Sequence, residues 1–230
     1  MVERVVRLLA TGRATASSIV AITFTEAAAA ELRDRVRDAL ERLVATSDAN
    51  AAERERCEAA LGDLDGAALE TIHAFCRRLL AAHPLATLAW SSADGLTAEH
   101  LPLMWDRAAG DGTLGTLRGH VARANPVWRE AAGSPVLAAF QGPQAYITPS
   151  WYPSKAATAK VVPTWNYAVV HMRGTLRVIE DAAWLRTLVG RLTDTHEASF
   201  AHRWQVDDAP ADYIEQMLRA IVGIEIQVTQ

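Results

Sequence analysis

The chain has 230 residues, with 23 basic side chains against 27 acidic ones and half of its residues apolar. No apolar run approaches the ~18 residues that a membrane-spanning helix needs. Two cysteines are too few for a disulfide scaffold, and a net charge of −4 excludes a strongly basic nucleic-acid binder. Met1 is followed by Glu3 and Arg4 with no long apolar stretch, so no secretory signal is expected and a reducing cytoplasm is the expected compartment.

In chain order, Val2 to Leu9 reads as a short helix ended by Gly12, a residue common just past a helix C-terminus. Ser18 to Phe24 is a nearly continuous apolar run, and that pattern predicts a strand buried on both faces, as in a parallel sheet. A helix is expected over Glu26 to Val44, because Leu32, Val36, Leu40 and Leu43 recur at helical spacing on one face. A polar stretch follows over 46–56, then a second helix over Ala67 to Ala82. Helix, buried strand, helix is half of an α/β unit.

Composition changes near residue 84. All seven Trp and all four Tyr lie beyond that point, and no proline precedes Pro84. Short strand signals then recur: Leu85–Trp90, Leu96–Leu103, Thr113–Val121, Val136–Gln141 and Ala145–Thr148. Trp165–His171 and Gly174–Ile179 are expected to pair as a hairpin around Met172-Arg173, and Ile221–Val228 alternates to the end. Regular short strands with Gly, Pro and Asp punctuation predict an antiparallel barrel or sandwich. Two helices interrupt it: Asp181 to Thr195, with Asp181 as N-cap, and Ala209 to Ala220, with Pro210 in its first turn.

Chemistry-bearing residues gather in two places. One is Arg118 to Pro126, which holds Arg118, His120, Arg123 and Asn125. The other runs from Tyr146 to Tyr167 and holds Ser150, Trp151, Thr164, Trp165, Asn166 and the two lysines of the chain, Lys155 and Lys160. Guanidinium, ammonium and hydroxyl groups suit a phosphate. Indole and phenol rings suit a flat aromatic ring, and carboxamides suit the edge of a heterocycle. Together they could hold a flavin mononucleotide (FMN). Cys57 and Cys76 read as ordinary thiols, His73 has no second ligand at helical spacing, and no metal site is expected.

Two resemblances sharpen this reading. Ile19-Val20-Ala21-Ile22-Thr23-Phe24-Thr25-Glu26 and Thr71-Ile72-His73-Ala74-Phe75-Cys76 resemble UvrD/RecB/AddA-type helicases. By that resemblance Thr23, Thr25, Thr71 and His73 would touch single-stranded DNA. The phosphate-cradling G-x-x-x-x-G-K-[ST] loop is absent, and no lysine precedes Lys155, so no ATP hydrolysis is expected.

Leu117-Arg118-Gly119-His120, Phe140-Gln141-Gly142-Pro143, Ile147-Thr148-Pro149-Ser150-Trp151-Tyr152 and Lys160-Val161-Val162-Pro163-Thr164-Trp165-Asn166-Tyr167 resemble the PaiB family of FMN-binding negative transcriptional regulators. That resemblance implies an α+β fold: a split β-barrel of the pyridoxamine-phosphate-oxidase type, preceded by a mostly helical α/β fragment. It implies a homodimer with FMN near the dimer interface. The phosphate would face Arg118, Arg123, Ser150 and Lys155, and the ring and ribityl chain would face Trp151, Thr164, Trp165 and Asn166; His120, Asn125 and Lys160 complete the expected set.

The expected division is 1–83, a helicase-like fragment, and 84–230, a flavin barrel. Arg77 to Leu85 fits both families. The family's closing segment does not follow Gln230, which is expected to weaken the dimer. A flavin-dependent oxidoreductase on the same barrel and a remnant DNA-binding helicase piece are the alternatives. DNA is otherwise expected to be bound only indirectly or weakly, and no membrane partner is expected.

Overall fold

The computed structural model describes residues 1–46, 50–107 and 114–230, and its contacts divide the chain into two units, Met1–Arg78 and Leu79–Gln230. Parts of the 46–56 and Thr113–Val121 expectations, and the Gly110-Asp111-Gly112 turn, lie outside the described residues.

The first unit runs α1 (Val2–Ala10), β1 (Val20–Thr23), α2 (Glu26–Ala45), α3 (Ala51–Gly62) and β2 (Ala68–Thr71), then enters α4 (Ile72–Ala82). The α2 helix starts where Thr25 accepts a hydrogen bond from the Ala28 N–H at 3.1 Å. It buries Leu32, Val36 and Leu40 against Val5, Val6 and Leu9 of α1 and Cys57 and Ala60 of α3. The polar stretch becomes helix at Ala51 because Asn50 caps it, accepting from the Glu53 N–H at 2.8 Å. Its buried side is only Cys57 and Ala60, too small to show as periodicity.

The start of the expected 67–82 helix is instead strand. Residues Ala68 to Thr71 pair in parallel with Val20 to Thr23, and Leu69 is fully buried. Tertiary pairing overrides the helical propensity of Ala and Leu here. The β1 strand is covered on one face only: Ala21 is buried, whereas Val20 is 49% and Ile22 39% exposed.

The second unit is built on β3 (Leu85–Ser92), β4 (Gly95–Pro102), β5 (Met104–Asp106), β6 (Thr116–Ala122), β7 (Pro135–Ile147), β8 (Thr164–Ile179) and β9 (Ile221–Val228). Short helices α5 (Val127–Glu130) and α6 (Ser154–Thr158) interrupt it, with longer α7 (Ala182–Glu197) and α8 (Ala211–Arg219) before β9. The sheet order is β4-β3-β7-β8-β9-β6-β5, with every pairing antiparallel.

Its two edge strands, β4 and β5, are joined by one residue, Leu103, which is 2% exposed. One residue spans a few ångströms, so the sheet must curl until its edges meet, which makes a barrel. The Asn125 side-chain N–H donates to Glu99 on β4 at 2.8 Å and fastens the loop after β6 to the far edge. Alternate residues fill the interior: Ala86, Leu88 and Trp90 on β3, Ala138 and Phe140 on β7, Val222, Ile224, Ile226 and Val228 on β9.

The expected hairpin at Met172-Arg173 does not form. β8 runs unbroken through it, with Met172 opposite Ala138 and Gly174 opposite both Val136 and Val228. Gly174 serves a close approach rather than a turn, because a side chain there would strike the Gln227 backbone. Likewise 136–141 and 145–148 join in one strand, with a bulge between Gln141 and Gln144.

Candidate functional site

Beyond the bulge, β7 and β8 continue as a two-stranded arm, Gln144–Ile147 against Thr164–Tyr167. The arm closes through a single helical turn at Pro149–Trp151, capped by Thr148, and through α6. Lys155 on α6 donates to the Ser150 hydroxyl at 3.1 Å. Among the described residues neither Lys155 nor Lys160 has a carboxylate partner.

The arm is rich in exposed rings. Trp151 is 67%, Trp165 53% and Tyr167 65% exposed. Trp165 is nevertheless held: its indole N–H donates to the Gln144 carboxamide oxygen at 3.0 Å, and Tyr146 packs beside it at 6.1 Å, tilted by 57°. Thr164 and Asn166 flank it on the same strand, opposite Ile147 and Ala145. Gln144 and Gln141 also line a groove of about 600 Å³ with His83, Thr87, His100 and His196. Gln144 escaped the sequence reading because nothing local marks a glutamine that orients a ring across a strand pair.

The residues around β6 are placed differently. Arg118 donates to Glu225 on β9 at 2.9 Å and pairs with Asp106 on β5; Arg191 of α7 also holds Asp106, and Arg177 of β8 reaches Glu225 at 3.3 Å. Hydrogen bonding to Arg191, with Arg118 beside it, keeps the Asp106 carboxyl below its ordinary range although burial opposes this. Burial also opposes charge on Arg118, but its bonds to Glu225 and Asp106 prevail and raise its pKa.

Arg123 spends its donors on the Arg219 carbonyl at 2.9 Å, Glu180 at 2.6 Å and the Ile221 carbonyl at 3.3 Å, which pins the end of α8. Asn125 bridges Glu99 and the Val127 N–H. His120 faces Gly223 across the strand pair, half-buried, with Nδ1 unbonded among the described residues, and burial pushes its pKa down. Ser150, Trp151, Lys155, Thr164, Trp165 and Asn166 thus share the arm, with Lys160 in its closing segment, whereas Arg118, His120, Arg123 and Asn125 belong to the β6 surroundings.

In the first unit, Thr23 and Thr71 are register partners at the C-terminal ends of the parallel strands, where α2 and α4 begin. Thr23 donates to the Thr25 carbonyl at 3.1 Å. Thr71, 3% exposed, donates to Glu26 at 3.2 Å and accepts from the Ala74 N–H at 3.2 Å. His73 stands exposed in the first turn of α4, and Phe24, 92% exposed, was not among the expected site residues. A larger groove, about 990 Å³, lies along α1 and α2 and contains none of the arm's rings or lysines.

Tested on donor chemistry, the arm fits a flavin. An ammonium and a hydroxyl face an anion without competition, indoles stand ready to stack, and carboxamides line the adjoining groove. Among the described residues no group of histidine, cysteine and carboxylate ligands could hold a metal ion, and no helix is long and apolar enough to cross a membrane.

Comparison with known proteins gives two family matches. A family model described as "Putative FMN-binding domain" matches residues 67–230, and one for the UvrD/REP helicase N-terminal domain matches residues 1–101, so 67–101 are common to both. An uncharacterized protein of Emericella nidulans is 32% identical over 163 residues, covering 58% of this chain and 65% of that protein. The chain therefore spans somewhat less than two thirds of that relative's length. An ATP-dependent helicase/nuclease from Levilactobacillus brevis is 40% identical over 80 residues, 35% of this chain and 6% of that protein. Among solved structures, an FAD and heme binding protein from Mycobacterium smegmatis aligns with TM-score 0.49 at 18% identity, covering 68% of this chain and 66% of that one.

Proposed function

This chain belongs to the FMN-binding domain family, and from that premise we propose that residues 84–230 form a flavin-binding regulatory module of the PaiB type, with FMN seated on the β7–β8 arm. The observation that carries the reading is the Lys155–Ser150 pair, free of any carboxylate, beside the exposed rings of Trp151 and Trp165. In this reading Lys155, Ser150 and Lys160 receive the phosphate. Trp151 and Trp165 stack on the ring system, and Thr164 and Asn166 meet the ribityl chain. Arg118, His120, Arg123 and Asn125 act as the frame behind the site, because all but His120 already have internal partners.

We further read the module as a homodimer through the barrel, with Leu85 (59% exposed) and Leu96 (89% exposed) as side chains a second copy would cover. Two unpaired cysteines, one of them buried, accord with a reducing cytoplasm.

The test is a titration of the full chain with FMN and with riboflavin, read by quenching of flavin fluorescence. FMN is expected to bind at micromolar concentration and about tenfold or more tighter than riboflavin, the difference being the charge-assisted contact to phosphate. No quenching, or equal affinity for both, overturns the reading.

A second reading rests on the imidazoles of His83, His100 and His196 in the groove beside the arm. A flavin bound there supplies hydride and electron transfer, and these histidines could exchange protons with a substrate, which would make the chain an oxidoreductase. Oxidation of a nicotinamide donor by the flavin-loaded chain would favour it. For residues 1–83 we propose a helicase-derived fragment that keeps Thr23, Thr25, Thr71 and His73 near one another for weak contact with single-stranded DNA but lacks ATPase parts.

A further inference from the structure

From Ala131 to Ile179 the chain contains no Asp or Glu, although acids outnumber bases overall; the same span holds Lys155, Lys160, Arg173 and Arg177. Within it, β8 alternates strictly. Trp165, Tyr167, His171 and Arg173 share one outward row, while Met172, Gly174 and Leu176 point into the barrel. Residues two apart on a strand stand roughly 6.5 Å apart, a spacing at which successive bases can be splayed onto separate rings.

The strand beside the row adds no charge. β7 sets Tyr146, Gln144, Ala139 and Leu137 opposite Trp165, Tyr167, His171 and Arg173. The first carboxylate along the row is Glu225, which is held by Arg177 at 3.3 Å and by Arg118 at 2.9 Å. Arg173 has no ion-pair partner among the described residues.

Exposed rings in line with unneutralised cations are the combination that single strands require: stacking for the bases and positive charge for the backbone. A duplex, whose bases are inside, gains only the charge term. We propose that the outward row of β8, from Trp165 to Arg173, with Lys155 and Lys160 at its arm end, is a docking track for single-stranded nucleic acid. The proposal shares Trp165 with the flavin reading but does not depend on it.

The test is fluorescence anisotropy of the full, flavin-free chain with a labelled oligothymidylate of about 15 nucleotides at about 50 mM salt, beside an oligouridylate and a duplex of equal length. Saturable binding of either single strand is expected, with the tighter of the two naming the natural class. Its log–log salt slope is expected near −2, about 0.7 for each of three cations. Trp165→Ala and Tyr167→Ala should each weaken binding about tenfold, and Arg173→Ala should flatten the slope by about 0.7.

Duplex binding as tight as single-strand binding overturns the proposal, and so does no change in anisotropy. Loss of binding in His73→Ala but not in Trp165→Ala overturns it too, because the signal then belongs to the first unit. Sedimentation that shows a dimer abolished by Trp165→Ala also overturns it, because the row is then a self-contact. FMN quenching, measured separately on the same preparation, keeps the two readings apart. A chain that quenches FMN without binding strands fails this proposal alone, and one that binds strands without quenching FMN fails the flavin reading alone.

Discussion

The barrel carries two sets of cations that look alike in sequence and differ in what surrounds them. Arg118 and Arg123 sit among Asp106, Glu225, Glu180 and backbone carbonyls, with their donors spent. Lys155 and Lys160 sit in a span without a single carboxylate, and the only hydrogen bond either ammonium makes is from Lys155 to the Ser150 hydroxyl, among the described residues. A cation whose charge is already matched holds elements together; one that is unmatched is available to an anionic ligand. Each set therefore fails differently when it is truncated, and that difference can be measured.

The largest effect is expected at Arg118. Its side chain is 29% exposed, and Arg118→Ala would leave Asp106 and Glu225, 23% and 13% exposed, short of their shared donor. Breaking a substantially buried pair from one side costs about 3 kcal/mol. For a unit of this size that lowers the melting temperature by roughly 6–12 °C, measured by circular dichroism. The flavin affinity of the folded fraction should stay unchanged. A melt that does not move would mean that the guanidinium is not structural, and would return Arg118 to the phosphate.

The next effect in size inverts the pattern. Lys155→Ala should leave the melting temperature within about a degree, since an exposed lysine on a five-residue helix supports little. It should instead weaken FMN about 10- to 100-fold, the range of a hydrogen bond to a charged group, while riboflavin affinity stays level. Flavin fluorescence quenching reads both numbers. Equal losses for FMN and riboflavin would place the lysine away from the phosphate.

The contrast also explains what could be read from sequence. Lys155 and Ser150 are five residues apart, and Asp181 caps α7 from three residues away, accepting the Trp184 N–H at 2.6 Å. Such pairs are legible because both partners fall within one turn of chain. Arg118 meets Asp106 across 12 residues and Glu225 across 107, and Arg123 meets Glu180 across 57; no local pattern announces those partners. An unpartnered arginine and a saturated one are the same letter.

Strands followed the same rule. The alternation of β9 could be read because its partners impose the period already present in the residues. The continuity of β8 through Gly174 could not, because a glycine that permits close approach of β9 is indistinguishable locally from one that makes a turn. The parallel pairing that turns Ala68–Thr71 into strand depends on Val20–Thr23, nearly fifty residues earlier.

The smallest expected effect concerns His120, which belongs to neither set. It is half-buried, Nδ1 has no partner among the described residues, and burial lowers its pKa, so the folded state favours the neutral ring. The unfolded chain protonates near pH 6.5. Above that value both states are neutral and His120 contributes no pH dependence. Below it the unfolded state takes up the proton first, so stability falls with pH until the folded value is passed. A single proton can contribute at most about 1.4 kcal/mol per pH unit, and the partial exposure of the ring makes the expected slope a fraction of that. Urea midpoints between about pH 7 and about pH 5 should therefore drop less for His120→Gln than for the parent chain. A steeper fall in the variant would mean that the protonated imidazole is stabilised in the folded state, and that the open side of Nδ1 faces an anion rather than the apolar cover of α7.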